Sequence, residues 1–289
     1  MKTQDRNTLF ATFAVLLLGF GLAVAGSDRT VTIFLAPTFA VTTLVAFAIQ
    51  WIVFIPSYLK STEKYFDLTG SLTFVSISIL SISVSGNFEL RRITLFLMVM
   101  IWATRLGTYL FQRMHKAGKD RRFDALKKSP VRFLCAWTLQ GLWVTFTSAA
   151  AVAAITSSKT SEVGSYYYLG TVLWIAGFAI EAIADRQKKK FSSVPQNKGR
   201  FIQSGLWSRS RHPNYFGEIL LWLGVAVVAY PLLQGWQLIT LLSPVLVAIL
   251  LIYVSGIPLL ERSSDEKWGD QPDYQEYKSR TPVLLLRLW

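Results

Sequence analysis

Eight apolar stretches, each near the length of a membrane span, constrain this chain more than any other feature. They cover residues 9–25, 31–55, 68–85, 93–111, 133–155, 166–184, 215–230 and 236–257. A helix crosses bilayer hydrocarbon in about 20 apolar residues. Only 16% of the chain is charged and 52% is hydrophobic, whereas soluble domains carry about 25% charged residues. The fold class that follows is all-α, a polytopic membrane helix bundle with seven to eight transmembrane helices. The third stretch is the weakest, because Ser71, Ser76, Ser78, Ser81 and Ser83 interrupt it. Such serines either back-bond to the preceding turn or face a neighbouring helix.

Charge placement gives an orientation. With the amino terminus cytoplasmic, the inner segments are 1–8, 56–67, 112–132, 185–214 and 258–289. They hold 25 of the 30 Lys and Arg residues, while the outer loops hold Arg29, Arg91, Arg92 and Lys159. That split is what the positive-inside rule predicts. The carboxy terminus is then cytoplasmic, in the inner membrane of a bacterium or the endoplasmic reticulum of a eukaryote. The net charge of +13 is met by anionic headgroups, so no nucleic-acid partner is needed. Lys2, Arg6, the first apolar run and Ala23-Val24-Ala25 also fit a cleaved signal peptide, which would leave seven spans. The lone Cys135 excludes an intrachain disulfide and a cysteine zinc site.

The chain reads as a single integral membrane domain over 1–289, with residues 1–30 as first span or signal. Two long basic loops stand out, 112–132 and 185–214. Loops of that length inside compact domains are functional or disordered. The end of the chain, 261–289, is amphipathic and suits the inner interface.

The chemistry concentrates in Arg211-His212-Pro213-Asn214-Tyr215-Phe216-Gly217-Glu218, which opens the seventh stretch. Proline favours the first turn of a helix, and free amides there can face a phosphate. Ionisable residues within spans cost about 2.5–3.5 kcal/mol each. Four are present: Arg105, Glu181, Asp185 and Glu218. Glu181 and Asp185 share a helix face, as do Asn214 and Glu218, and Arg105 and Tyr109. Either these faces line one cavity, or Arg105 forms a buried ion pair with Glu181 or Glu218. The run Arg186, Lys188, Lys189, Lys190, with Arg200 beyond it, is either a solvated face or a clamp for a phosphorylated cofactor. Neither G-x-G-x-x-G nor a P-loop is present, and the carboxylates lack metal-site spacing, so no metal is expected.

These residues resemble the carboxy-terminal signature of the steroid 5α-reductase and sterol reductase superfamily. The resemblance rests on Glu181, Asp185-Arg186-Gln187-Lys188 and the stretch from Gly205 through His212-Pro213-Asn214-Tyr215-Phe216-Gly217-Glu218. It extends to Lys64–Gly70, Trp102–Gly107 and Leu139-Gln140-Gly141, so the reductase-like core spans 60–289. The resemblance implies a helix bundle holding NADPH and reducing an activated carbon–carbon double bond of a steroid-like or other lipid. It implies cofactor contacts from Arg105, Asp185, Arg200, Asn214, Tyr215 and Glu218, with Arg211 and His212 beside them. Lys189 would add a cation for the phosphates. Asp67 stands where the steroid enzymes carry an early carboxylate, and Tyr109 or Tyr65 would supply a proton. The catalytic set expected is therefore Asp67, Tyr109 and Glu218. The partners expected are a hydrophobic lipid-like substrate and membrane lipids, with no obligate protein partner. The chain departs from the steroid enzymes at Trp102, where they carry a tyrosine. His-Pro-x-Tyr also occurs in membrane methyltransferases that use S-adenosylmethionine. They resemble this chain in a late glutamate like Glu261 and a pair like Tyr274 and Tyr277, which keeps a methyltransferase as the alternative.

Overall fold

A computed structural model describes residues 3–287. Among them, eight helices are long and apolar enough to cross a membrane, so the fold is all-α and polytopic. Two compact units are distinguished. One comprises Met1–Tyr167 with Val228–Ser243, the other Tyr168–Val227 with Pro244–Trp289.

In the first unit, α1 (Thr3–Gly26), α2 (Thr38–Leu59), α3 (Phe66–Ser85) and α4 (Leu90–Ala117) surround α5 (Pro130–Thr156). The position of α5 follows from its sequence. Ala149 through Ala154 offers small side chains on every face, and all of them are buried. Small residues let helix backbones approach closely where lipid gives no hydrophobic drive. Phe47 of α2 fits against Gly19 of α1 and Gly141 of α5, where a Cβ would meet its ring at 2.9 Å in either case. Polar groups pair inside the unit: the Gln50 amide donates to Thr73 Oγ1 at 2.7 Å, and Gln140 Nε2 to the Phe66 carbonyl at 3.0 Å. Within α3, Ser76 and Ser81 back-bond to Leu72 and Ile77. The weakest stretch of the sequence is thereby a sound helix.

Sequence and structure differ at four boundaries. Residues 31–37 join no span. They form a short hairpin, β1 (Thr32–Ile33) with β2 (Ala36–Pro37), and α2 starts after Pro37. The two long loops are shorter than expected. The fourth helix continues past Phe111 to Ala117, and α6 (Ser165–Ser193) runs through the basic segment, because nothing breaks it before Pro195. Asp185 and Lys189 are therefore helical. The last stretch is not one regular helix. It is a 3₁₀ segment (Gly235–Leu242), then α8 (Ser243–Ile249), a π turn (Leu250–Val254) and, after Gly256, α9 (Ile257–Trp268). Pro244 and Pro258 each lack the N–H that would continue the ladder.

Arg91 and Arg92 are not free loop charges either. Both are buried. Arg92 donates to the carbonyls of Ala154, Ile155, Ser157 and Lys159, and Arg91 to those of Val228 and Glu162. The carbonyls at the end of α5 have no partner further along their own helix, and the guanidinium of Arg92 supplies one. Elsewhere in this unit the 118–129 segment is tied down by Glu63. That carboxylate accepts from the Asp120 amide at 2.7 Å and from Lys127, whose ammonium it holds above the usual lysine range.

Candidate functional site

The signature octapeptide lies wholly in the second unit, with α6, α7 (Pro213–Ala229), α9 and α10 (Pro272–Arg280). Glycines set how α6 and α7 meet. A Cβ on Gly177 would lie 2.6 Å from the Gly217 carbonyl, and one on Gly217 would lie 2.6 Å from the Glu181 amide. A Cβ on Gly224 would similarly meet the Gly170 carbonyl at 2.6 Å. This seam brings the first turns of α7, with Asn214 and Glu218, against the part of α6 that bears the buried Glu181 and, one turn on, the buried Asp185.

The loop before α7 is held from several sides. Trp207 donates through Nε1 to the Ala184 carbonyl at 3.0 Å, and its own carbonyl accepts from Tyr277 Oη at 2.7 Å. Gln187 Oε1 accepts from the Leu206 amide at 2.9 Å. Lys188 lies over the Trp207 ring, 4.6 Å from its centroid. The chain end returns to the same loop. The Arg211 amide donates to the Pro282 carbonyl and the Arg287 amide to the Arg209 carbonyl, both at 2.9 Å. Between them the fully buried Ser210 donates to Leu284 O at 2.9 Å and accepts from the His212 amide at 3.2 Å.

At the centre is a charge cluster. Glu261 Oε1 lies 2.8 Å from His212 Nε2, and its Oε2 lies 2.9 Å from Arg211 Nη1. Lys278 Nζ is 4.0 Å from Glu261 and 2.7 Å from Asp265, one helical turn along α9. Tyr274 Oη donates to Asp265 Oδ1 at 3.1 Å. Burial, reinforced by that carboxylate, pushes the Tyr274 phenol up to about 12. Burial also raises Tyr277. Phe201 packs edge-on against Tyr274, with centroids 5.2 Å apart, and joins Trp268 and Tyr277 in one aromatic group.

Of the residues expected from sequence, the structure brings Arg211, His212, Asn214, Tyr215 and Glu218 together on one junction, with Asp185 on the facing helix. Lys189 and Arg200 belong to the same unit but lie exposed at its surface. Asp67, Arg105 and Tyr109 stand in the first unit on α3 and α4. Asp67 has Arg113 Nη2 at 3.8 Å. Sequence reasoning did not rank Glu261, Asp265, Tyr274 or Lys278 as site residues. Their signal was present as Glu-x-x-x-Asp on one helix and Tyr-x-x-Tyr-Lys on the next, but nothing local ties either to His212. Among the described residues no group of three or more His, Cys, Asp or Glu is placed to hold a metal.

A family model described as "Protein of unknown function (DUF1295)" matches residues 53–281. The chain belongs to that family. DUF1295 is a steroid 5α-reductase-like family of membrane proteins. The match takes in both Asp67 and Arg105 in the first unit and the whole cluster from Glu181 to Tyr277. The chain is also 28% identical over 118 residues to "Probable O-methyltransferase ustE" of Ustilaginoidea virens, a match covering 36% of this chain and 42% of that protein. It thus spans less than half the length of that curated relative. No solved structure matches.

Proposed function

We propose that the protein is a membrane-embedded NADPH-dependent reductase that acts on an activated carbon–carbon double bond of a lipid-like substrate. One observation carries the reading. Asn214 Oδ1, at the start of α7, is buried with no hydrogen-bond partner, and so is Arg211 Nε three residues before it. Buried polar atoms in folded proteins are nearly all paired. An amide oxygen and a guanidinium N–H suit the carboxamide and a phosphate of a nicotinamide dinucleotide. The family match and the sequence resemblance point the same way.

NADPH, when bound, supplies the hydride. The residues of the chain have other tasks. Asn214 and Glu218 orient the carboxamide by hydrogen bonds. Lys189 and Arg200, with Arg186 and Lys190 nearby in sequence, offer exposed cations to the phosphates. Asp185 and Tyr215 complete the pocket on the α6 and α7 sides. Apolar helices keep water away, which strengthens every charge near the reacting bond.

A second reading has its own support. Glu261 and Tyr277, which resemble features of S-adenosylmethionine-dependent membrane methyltransferases, contact Arg211 and the Trp207 carbonyl, and one relative carries a methyltransferase name. Thermal unfolding of the detergent-solubilised protein with NADPH, NADH or S-adenosylmethionine separates the two. A ligand at 100 times its Kd adds about 2.7 kcal/mol. We expect stabilisation by NADPH and none by S-adenosylmethionine; the reverse pattern replaces the reductase by the methyltransferase.

A further inference from the structure

We propose that His212 is the group that gives the substrate its proton, and that Glu261 holds the imidazole charged and oriented for that task. The inference rests on the reductase reading, which sets the direction of transfer.

His212 is 5% exposed. Its Nε2 faces Glu261 Oε1 at 2.8 Å, so the hydrogen on that nitrogen is committed to the carboxylate. The other carboxylate oxygen faces Arg211 at 2.9 Å and Lys278 at 4.0 Å, and two cations there keep Glu261 an anion. The ring lies parallel to Tyr215, 5.7 Å between centroids at 10°. The backbone amide of His212 is bound by Ser210. Everything about the imidazole is fixed except Nδ1, which is buried with no hydrogen bond. A carboxylate on one nitrogen stabilises the imidazolium and turns the other nitrogen to the chemistry. Arg211 alone would satisfy Glu261 if the cluster served only to bury charge. An ion pair does not require a bare ring nitrogen inside the protein.

The step balances as follows. Hydride from the reduced nicotinamide forms a C–H bond at one alkene carbon, and the π pair moves to its neighbour, as an enolate where a carbonyl is conjugated. The Nδ1–H bond of the imidazolium breaks and a second C–H bond forms at that neighbour. Neutral imidazole remains, its proton on Nε2 towards Glu261. Nδ1 takes a new proton from water when product leaves.

The chain has two histidines, so His115→Gln leaves His212 as the sole source of histidine signals. The full-length His115→Gln protein, labelled with ¹⁵N-histidine in lipid nanodiscs at pH 7, is examined with and without NADPH. The NADPH-bound protein is expected to show both ring nitrogens protonated. In Glu261→Gln the ring becomes neutral while the NADPH Kd stays within about twofold. His212→Gln keeps an N–H donor where Nε2 was and removes Nδ1. It should still be stabilised by NADPH and should lower turnover of lipid enones by about 10²–10⁴-fold. A neutral ring with NADPH bound overturns the donor role, as does loss of NADPH stabilisation in His212→Gln, which would make His212 a cofactor ligand. Failure of NADPH to stabilise the parent protein is a different result: it removes the reductase reading itself, and the donor assignment with it.

Discussion

Single side chains in this protein are tuned by partners far away in sequence. Tyr274 shows it best. Burial comes first and the Asp265 carboxylate second in raising its phenol to about 12, above the ordinary value near 10. The folded protein therefore keeps a proton that the unfolded chain releases above pH 10. The stability this contributes is complete below pH 10 and is lost as pH rises through about 12. Alkaline unfolding of the parent should set in over that window. A phenolate absorbance titration of Tyr274→Phe should lack one late-ionising tyrosine. Glu261 is the other residue on which much depends. Glu261→Ala leaves Arg211 and His212 facing each other without a carboxylate, and stranding a buried hydrogen-bonding group costs about 1–3 kcal/mol. The unfolding free energy from urea or thermal denaturation should fall by that amount, with a smaller loss for Glu261→Gln.

At the scale of elements, two devices fix the helices. The glycine seam between α6 and α7 leaves no room for a methyl group, because the nearest atoms are backbone at 2.5 to 2.6 Å and cannot turn aside. Gly217→Ala should cost about 1–3 kcal/mol as overpacking. It should also weaken ligand stabilisation, since Asn214 and Glu218 would be pushed off Glu181. Gly21→Ala, where a Cβ meets nothing within 4 Å, should cost nothing measurable. The second device is Arg92 at the end of α5. Arg92→Leu strips the carbonyls of Ile155, Ser157 and Lys159 of their donor at once and leaves Ala154 only its bond from the Ser157 amide, and we expect a loss of about 3 kcal/mol, taking about 1 kcal/mol per bond. Arg92→Lys should recover only part of it, because one ammonium cannot reproduce the planar fork. Differential scanning of the three proteins in one detergent checks the order.

For the molecule as a whole, burial of Arg91 and Arg92 sharpens the charge asymmetry read from the sequence. Two of the four cations in the outer loops are buried against backbone carbonyls, leaving Arg29 and Lys159 exposed there. If the basic segments face the cytoplasm, a cysteine placed at Lys198 should react with a membrane-impermeant maleimide only in inside-out vesicles. A cysteine placed at Ser161 should react only in right-side-out ones. The native Cys135 is buried and should stay silent. Labelling of both positions from the same side would refute the span count.

Sequence alone determined what depends on local composition and on the bilayer. The eight spans were legible because crossing hydrocarbon needs an unbroken apolar run, and such a run is visible without any partner. The Arg211–Glu218 motif was legible because its residues are adjacent. Only the tertiary structure decided what depends on contacts across long separations. Glu261 reaches His212 over 49 residues, Arg92 reaches the end of α5 over more than 60, and the chain end folds back on Ser210 over 74. Periodicity specifies which face of a helix is polar, but not which other face it will meet. That choice is made by packing, here by glycines that admit one close approach of α6 to α7 and by a tail whose backbone completes the loop beside His212.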